Sequence, residues 1–145
     1  MFTIRNMQQD DLEQVVAIEQ SIFSDPWSVK AFSDSLNQEL CIYLVVEREK
    51  EIVGYCGLYV VSDEGQITNV AVKQEYRNAH IATEMLTALI NKAKGRGACD
   101  FTLEVRQSNT AAIHVYEKLG FQSVGLRKKF YDKPIEDAVI MWLYN

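Results

Sequence analysis

Between residues 65 and 106 the chain reads strand, helix, strand. Gly65 opens an apolar, β-branched run through Ile67, Val70 and Val72 to Lys73. Ile81, Met85, Leu86, Leu89 and Ile90 then recur at helical spacing, and the helix closes on basic residues and on Gly95 and Gly97. A second β-rich run spans Asp100 to Arg106. A helical crossover between two such runs makes the strands parallel and the connection right-handed. The chain is thereby committed to an α/β sheet with at least one parallel pair.

The flanking segments extend this unit in both directions. A short strand at Phe2 to Arg5 precedes a helix that Asp10 is placed to cap, with Leu12, Val15, Val16 and Ile22 on its apolar stripe. Pro26 interrupts that pattern, and Ser28 caps a second helix carrying Val29, Phe32 and Leu36. Leu40 to Glu47 and Ile52 to Val61 read as a hairpin, and Ser62 to Glu64 turns the chain into the strand at Gly65. After Arg106, Ser108 or Asn109 starts a helix with Ala112, Ile113 and Tyr116 inward, which Gly120 closes. Phe121 to Tyr131 and Asp137 to Tyr144 are the last strands, joined by a loop containing Pro134. The order is βααβββαβαββ, a mixed α/β (α+β) class with a mixed central sheet flanked by helices.

No repeat, linker or low-complexity tract divides the 145 residues, so a single domain over 1–145 is expected. The first twenty residues carry Arg5, Asp10, Asp11, Glu13 and Glu19, unlike a secretory signal, and the apolar run Leu40 to Val46 is too short to span a bilayer. A cytoplasmic protein without membrane contact is expected. Cys41, Cys56 and Cys99 show no Cys-x-x-Cys spacing and read as buried reduced thiols. The formal net charge of −5 disfavours direct nucleic-acid binding and suits a cationic substrate. No dinucleotide fingerprint, P-loop or metal-ligand spacing is present, and no metal is expected.

This order, together with Ile67-Thr-Asn-Val-Ala-Val-Lys73, Tyr76-Arg-Asn-Ala-His-Ile-Ala82 and Asn109 to Phe121, resembles the GNAT superfamily of N-acetyltransferases. Leu103-Glu-Val-Arg106, Ser108 to Ile113, Tyr116 to Phe121, Glu136 to Met141 and Asp25-Pro-Trp-Ser28 look like the ribosomal-protein-alanine N-acetyltransferases of the RimI type. The resemblance implies the GNAT fold and acetyl coenzyme A as donor. It places the pyrophosphate loop at Arg77, Asn78, Ala79, His80, Ile81 and Ala82, where backbone N–H groups at a helix N-terminus cradle phosphate. His80 stands where that pattern has glycine. Its bulk would hold phosphate off, whereas its protonated form would neutralise it, and both readings stand. The resemblance further places the pantetheine arm on the backbone of Val70, Ala71 and Val72, and a coenzyme hydrogen bond at Asn109.

An amine must lose a proton before it attacks, and the leaving thiolate must gain one. The resemblance implies Glu104 as base and Tyr116 as acid. Phe101, Leu103 and Val105 share one strand face, which turns Glu104 to the other, and Tyr116 follows Asn109 by two helical turns on the same side. A solvated Glu104 and a core-edge Tyr116 are the plainer readings. The implied acceptor is the N-terminal alanine of small-subunit ribosomal protein number eighteen, a basic chain. Trp27, Tyr131, Asp132 and Glu136 are the candidate acceptor contacts, against core packing for Trp27 and turn chemistry for Asp132 and Glu136. A monomer or weak dimer is expected. The rival readings are an acetyltransferase of small amines and a non-catalytic coenzyme A binding module.

Overall fold

The computed structural model describes residues 1–77 and 80–145. In chain order the elements are β1 (Thr3–Asn6), α1 (Leu12–Ile22), α2 (Val29–Leu36), β2 (Cys41–Arg48), β3 (Glu51–Val61) and β4 (Glu64–Val72). They are followed by α3 (Ile81–Lys94), β5 (Asp100–Arg106), α4 (Thr110–Lys118), β6 (Gln122–Asp132) and β7 (Ile135–Leu143). This is the expected order, with short 3-10 turns added at Gln9–Asp11 and Gln74–Tyr76.

The strands form a seven-stranded mixed sheet in the order β1-β2-β3-β4-β5-β7-β6. β4 and β5 are parallel, as the crossover requires, and the other pairings are antiparallel. The parallel pairing is brief. It joins Glu64, Gly65 and Gln66 to Asp100, Phe101 and Thr102, although β4 continues to Val72 and β5 to Arg106. Past this point each strand is hydrogen-bonded only on its outer side, to β3 and to β7 respectively. The sheet therefore parts down its middle.

Side-chain alternation divides the core between the two faces. Ile42, Leu44 and Val46 join α3 residues Ile81, Met85, Leu86 and Leu89 on one face. Tyr43 and Val45 join α1 and α2 residues Val15, Ile18 and Phe32 on the other. Phe32 is fully buried and meets Tyr55 edge-on at 5.8 Å between ring centres. The Ser28 hydroxyl accepts from Ala31 N–H at 3.1 Å, the cap expected for α2, worth about 1 kcal/mol.

Three expectations are corrected. Asp10 lies within the 3-10 turn, and Asp11 occupies the N-cap of α1, where its buried carboxylate accepts from Gln8 N–H and the Arg5 guanidinium, each at 2.8 Å. The loop from Tyr131 to Asp137 shrinks to Lys133 and Pro134, because Tyr131 pairs with Glu136 and Asp132 with Ile135. Of the three free cysteines only Cys56 is buried; Cys41 is half-buried and Cys99 is exposed where the chain enters β5. Among the described residues no helix is long and apolar enough to cross a membrane.

Candidate active site

The opening between β4 and β5 is flanked by two clefts. One, of about 560 Å³, is lined by Ile67 to Val70 of β4, Leu103 to Arg106 of β5, the segment after α1 and the β6–β7 turn. The other, of about 490 Å³, lies between Val70 to Val72, the start of α3 and α4. Ile22, Phe23, Val70, Asn109 and Tyr116 line both. The two clefts therefore meet at Tyr116.

The second cleft gathers the residues assigned to the coenzyme. Val70, Ala71, Val72, Arg77, His80, Ile81, Ala82 and Asn109 all line it, while Asn78 and Ala79 lie outside the described residues. Arg77 Nε donates to the Val72 carbonyl at 3.0 Å, which ties the loop back to the end of β4. His80 is the N-cap of α3 in the left-handed conformation, with φ 61° and ψ 17°. That backbone suits glycine, so the position the resemblance gives to glycine is here held by a strained histidine. The 14-residue α3 presents its N-terminus, and the positive end of its dipole, to this cleft. The exposed His114 also lines it.

The first cleft brings Glu104, Tyr116, Trp27 and Tyr131 together. The Glu104 carboxylate is ion-paired through Oε2 with Arg127 Nε of β6 at 2.6 Å. Tyr116 is 7% exposed, and burial, followed by the neighbouring Tyr131 and Cys56, pushes its phenol pKa well above that of free tyrosine. Its hydroxyl has no hydrogen-bond partner among the described residues and is not a buried unsatisfied atom, so it is open to the clefts. Tyr131 lies under the Arg106 guanidinium at 4.3 Å, and burial and then Glu104 raise its pKa.

Asp132 and Glu136 line neither cleft. Glu136 instead accepts from Ser108 N–H at 2.6 Å and from Arg106 at 3.1 Å, which holds the start of α4 against the last hairpin and draws its pKa down. Trp27 combines both of its readings: it packs against Phe32 at 5.2 Å and also lines the cleft.

Sequence reasoning missed Glu19, Asn69 and Arg127. Glu19 is buried on α1, accepting from the Tyr55 hydroxyl at 2.5 Å and from Trp27 N–H at 3.0 Å, and so fixes the segment after α1 that walls the cleft. An acid between Val15 and Ile22 on an apolar stripe was the available signal. Arg127 had none, because its pairing depends on strand register.

The model of the acetyltransferase (GNAT) family matches residues 12–121. The chain belongs to that family. A relative from Escherichia coli (strain K12), named as a [ribosomal protein bS18]-alanine N-acetyltransferase, is 34% identical over 99% of this chain and 97% of its own. A Bacillus subtilis (strain 168) relative, whose name assigns the same activity provisionally, is 39% identical over 97% of this chain and 93% of its own. The crystal structure of the ribosomal-protein-S18-alanine N-acetyltransferase from Escherichia coli superposes with a TM-score of 0.89 at 34% identity, covering 99% of this chain and 94% of that one. The GNAT fold is thus established, and the chain is an acetyltransferase.

Proposed function

We propose that this enzyme transfers the acetyl group of acetyl coenzyme A directly to the α-amine of the N-terminal alanine of ribosomal protein bS18. The observation that carries this is the pair of clefts that share Val70, Asn109 and Tyr116, one offering a helix N-terminus and the other a carboxylate. The relatives' names supply the acceptor, and the net charge of −5 suits a basic chain.

The donor lies along β4, its pyrophosphate at the loop before α3 and its pantetheine arm on the backbone of Val70 to Val72. Acetyl coenzyme A places its thioester where the clefts meet. Glu104 takes the proton of the incoming ammonium, directly or through one water. Backbone N–H groups of the unpaired edge of β4 polarise the thioester carbonyl. Tyr116, kept protonated by its burial, gives its proton to the departing sulfur and regains one from the second proton that the nitrogen sheds as the tetrahedral intermediate collapses to the amide, so that coenzyme A leaves as the thiol. Trp27 and Tyr131 border the acceptor. The whole unit is read as one domain.

Incubation with acetyl coenzyme A and a peptide copying the bS18 N-terminus, followed by mass spectrometry, tests the reading. An added acetyl group on the α-amine is expected. Turnover confined to polyamines or aminoglycosides would replace the acceptor, and no turnover at all would leave a coenzyme-binding module.

A further inference from the structure

Asn69 belongs to β4, is 7% exposed, and lines the acceptor cleft but not the coenzyme cleft. Its surroundings are built around one end of its amide. The Tyr43 hydroxyl donates to Oδ1 at 3.0 Å and the Thr68 hydroxyl donates to the same atom at 2.7 Å. Tyr43 reaches that position because Gly57, the β3 partner of Asn69, has no side chain: a Cβ there would lie 2.1 Å from the Tyr43 ring. Thr68 is the extra residue where the register of β3 and β4 slips, and the bulge brings its hydroxyl beside that of Tyr43 at 3.1 Å.

The other end of the amide is different. Among the described residues Nδ2 has no partner, yet no buried side-chain nitrogen or oxygen is left unsatisfied. Nδ2 therefore reaches a surface, and the surface Asn69 lines is the acceptor cleft. With Oδ1 anchored by two hydroxyls, the N–H groups are the end presented there.

We propose that Asn69 is an acceptor-binding residue whose Nδ2 donates to the carbonyl oxygen of the acceptor's first residue. This rests on the peptide reading given above. Asn69 adjoins Val70, which lines both clefts, so its amide N–H groups border the junction from the acceptor side and suit the carbonyl nearest an attacking peptide N-terminus. A simple alkyl amine has no such oxygen and would leave the amide unpaired, which is how a site built for a hydrogen bond rejects a ligand lacking it.

The experiment uses the intact enzyme and three Ala-starting peptides: the parent, one with a thioamide at the first carbonyl, and one with a thioamide at the second. Sulfur is the poorer acceptor, so the first thioamide should raise KM with little change in kcat, and the second should behave as the parent. Asn69→Ala should raise KM for the parent about three- to tenfold, as loss of one neutral hydrogen bond does. It should also erase the penalty of the first thioamide. Asn69→Asp keeps an acceptor for Tyr43 and Thr68 but no donor, and should likewise lose the distinction between the thioamides. Calorimetric titration with acetyl coenzyme A should give the same affinity for both variants. Equal KM for the two thioamides with the unmodified enzyme overturns the role of Asn69 without needing any variant, and leaves the peptide reading intact. Absence of turnover on the parent peptide overturns the peptide reading and this inference with it.

Discussion

Arg127 on β6 holds Oε2 of Glu104 on β5 at 2.6 Å across the intervening β7. The guanidinium is mostly exposed, so the pair adds less than about 1 kcal/mol to stability; its consequence is the orientation of a carboxylate at the cleft. Glu104→Gln should lower kcat by about a hundredfold or more at neutral pH. The deficit should narrow as pH rises past the α-amine's own pKa of roughly 8, where the acceptor deprotonates unaided. Arg127→Ala should lower kcat less, and should have no further effect in the Glu104→Gln background. Additive losses in steady-state assays of the double variant would show that Arg127 acts elsewhere.

The Tyr116 phenol is buried and its pKa is raised, so the group stays protonated well past the pH at which free tyrosine ionises. Tyr116→Phe should cut kcat about a hundredfold while calorimetry finds coenzyme affinity within about twofold of the parent. In the parent, kcat should show no fall near pH 10 from loss of this proton. A loss of activity centred on that pH would count against Tyr116 as the acid.

His80 occupies a left-handed conformation at the N-terminus of α3. Removing its Cβ relieves a backbone cost of roughly 1–2 kcal/mol and clears the approach to the backbone amides. His80→Gly should raise the unfolding midpoint and tighten acetyl coenzyme A binding. Weaker binding by the glycine variant would show that the imidazole itself contacts the donor.

Asp11 is held below the usual carboxylate range, first by hydrogen bonds from Arg5, with the Gln8 N–H and the Arg5 charge adding and burial opposing. A lowered folded pKa means the unfolded chain binds this proton more readily. The contribution is therefore complete above about pH 4 and is lost as pH falls through the folded value. Arg5→Met should destabilise the protein at pH 7, and urea titrations should show the gap between parent and variant closing in acid. A gap of constant size at every pH would exclude this linkage.

The amino-acid pattern alone determined the order of elements and the parallel β4–β5 pair, because these follow from local periodicity and the handedness of a crossover. It also placed Glu104 away from the buried face of β5 and Tyr116 on the same side of α4 as Asn109, since both depend only on side-chain direction within one element. Tertiary structure decided the rest. Glu136 was drawn into an ion pair with Arg106, Arg127 was brought to Glu104 by register, and Glu19 was buried beneath Trp27. Asn69 owes its orientation to a missing side chain at Gly57 and to hydroxyls on two strands. Each of these is a contact between residues distant in sequence, whose geometry comes from how the strands pair and the helices pack and is written in no single segment.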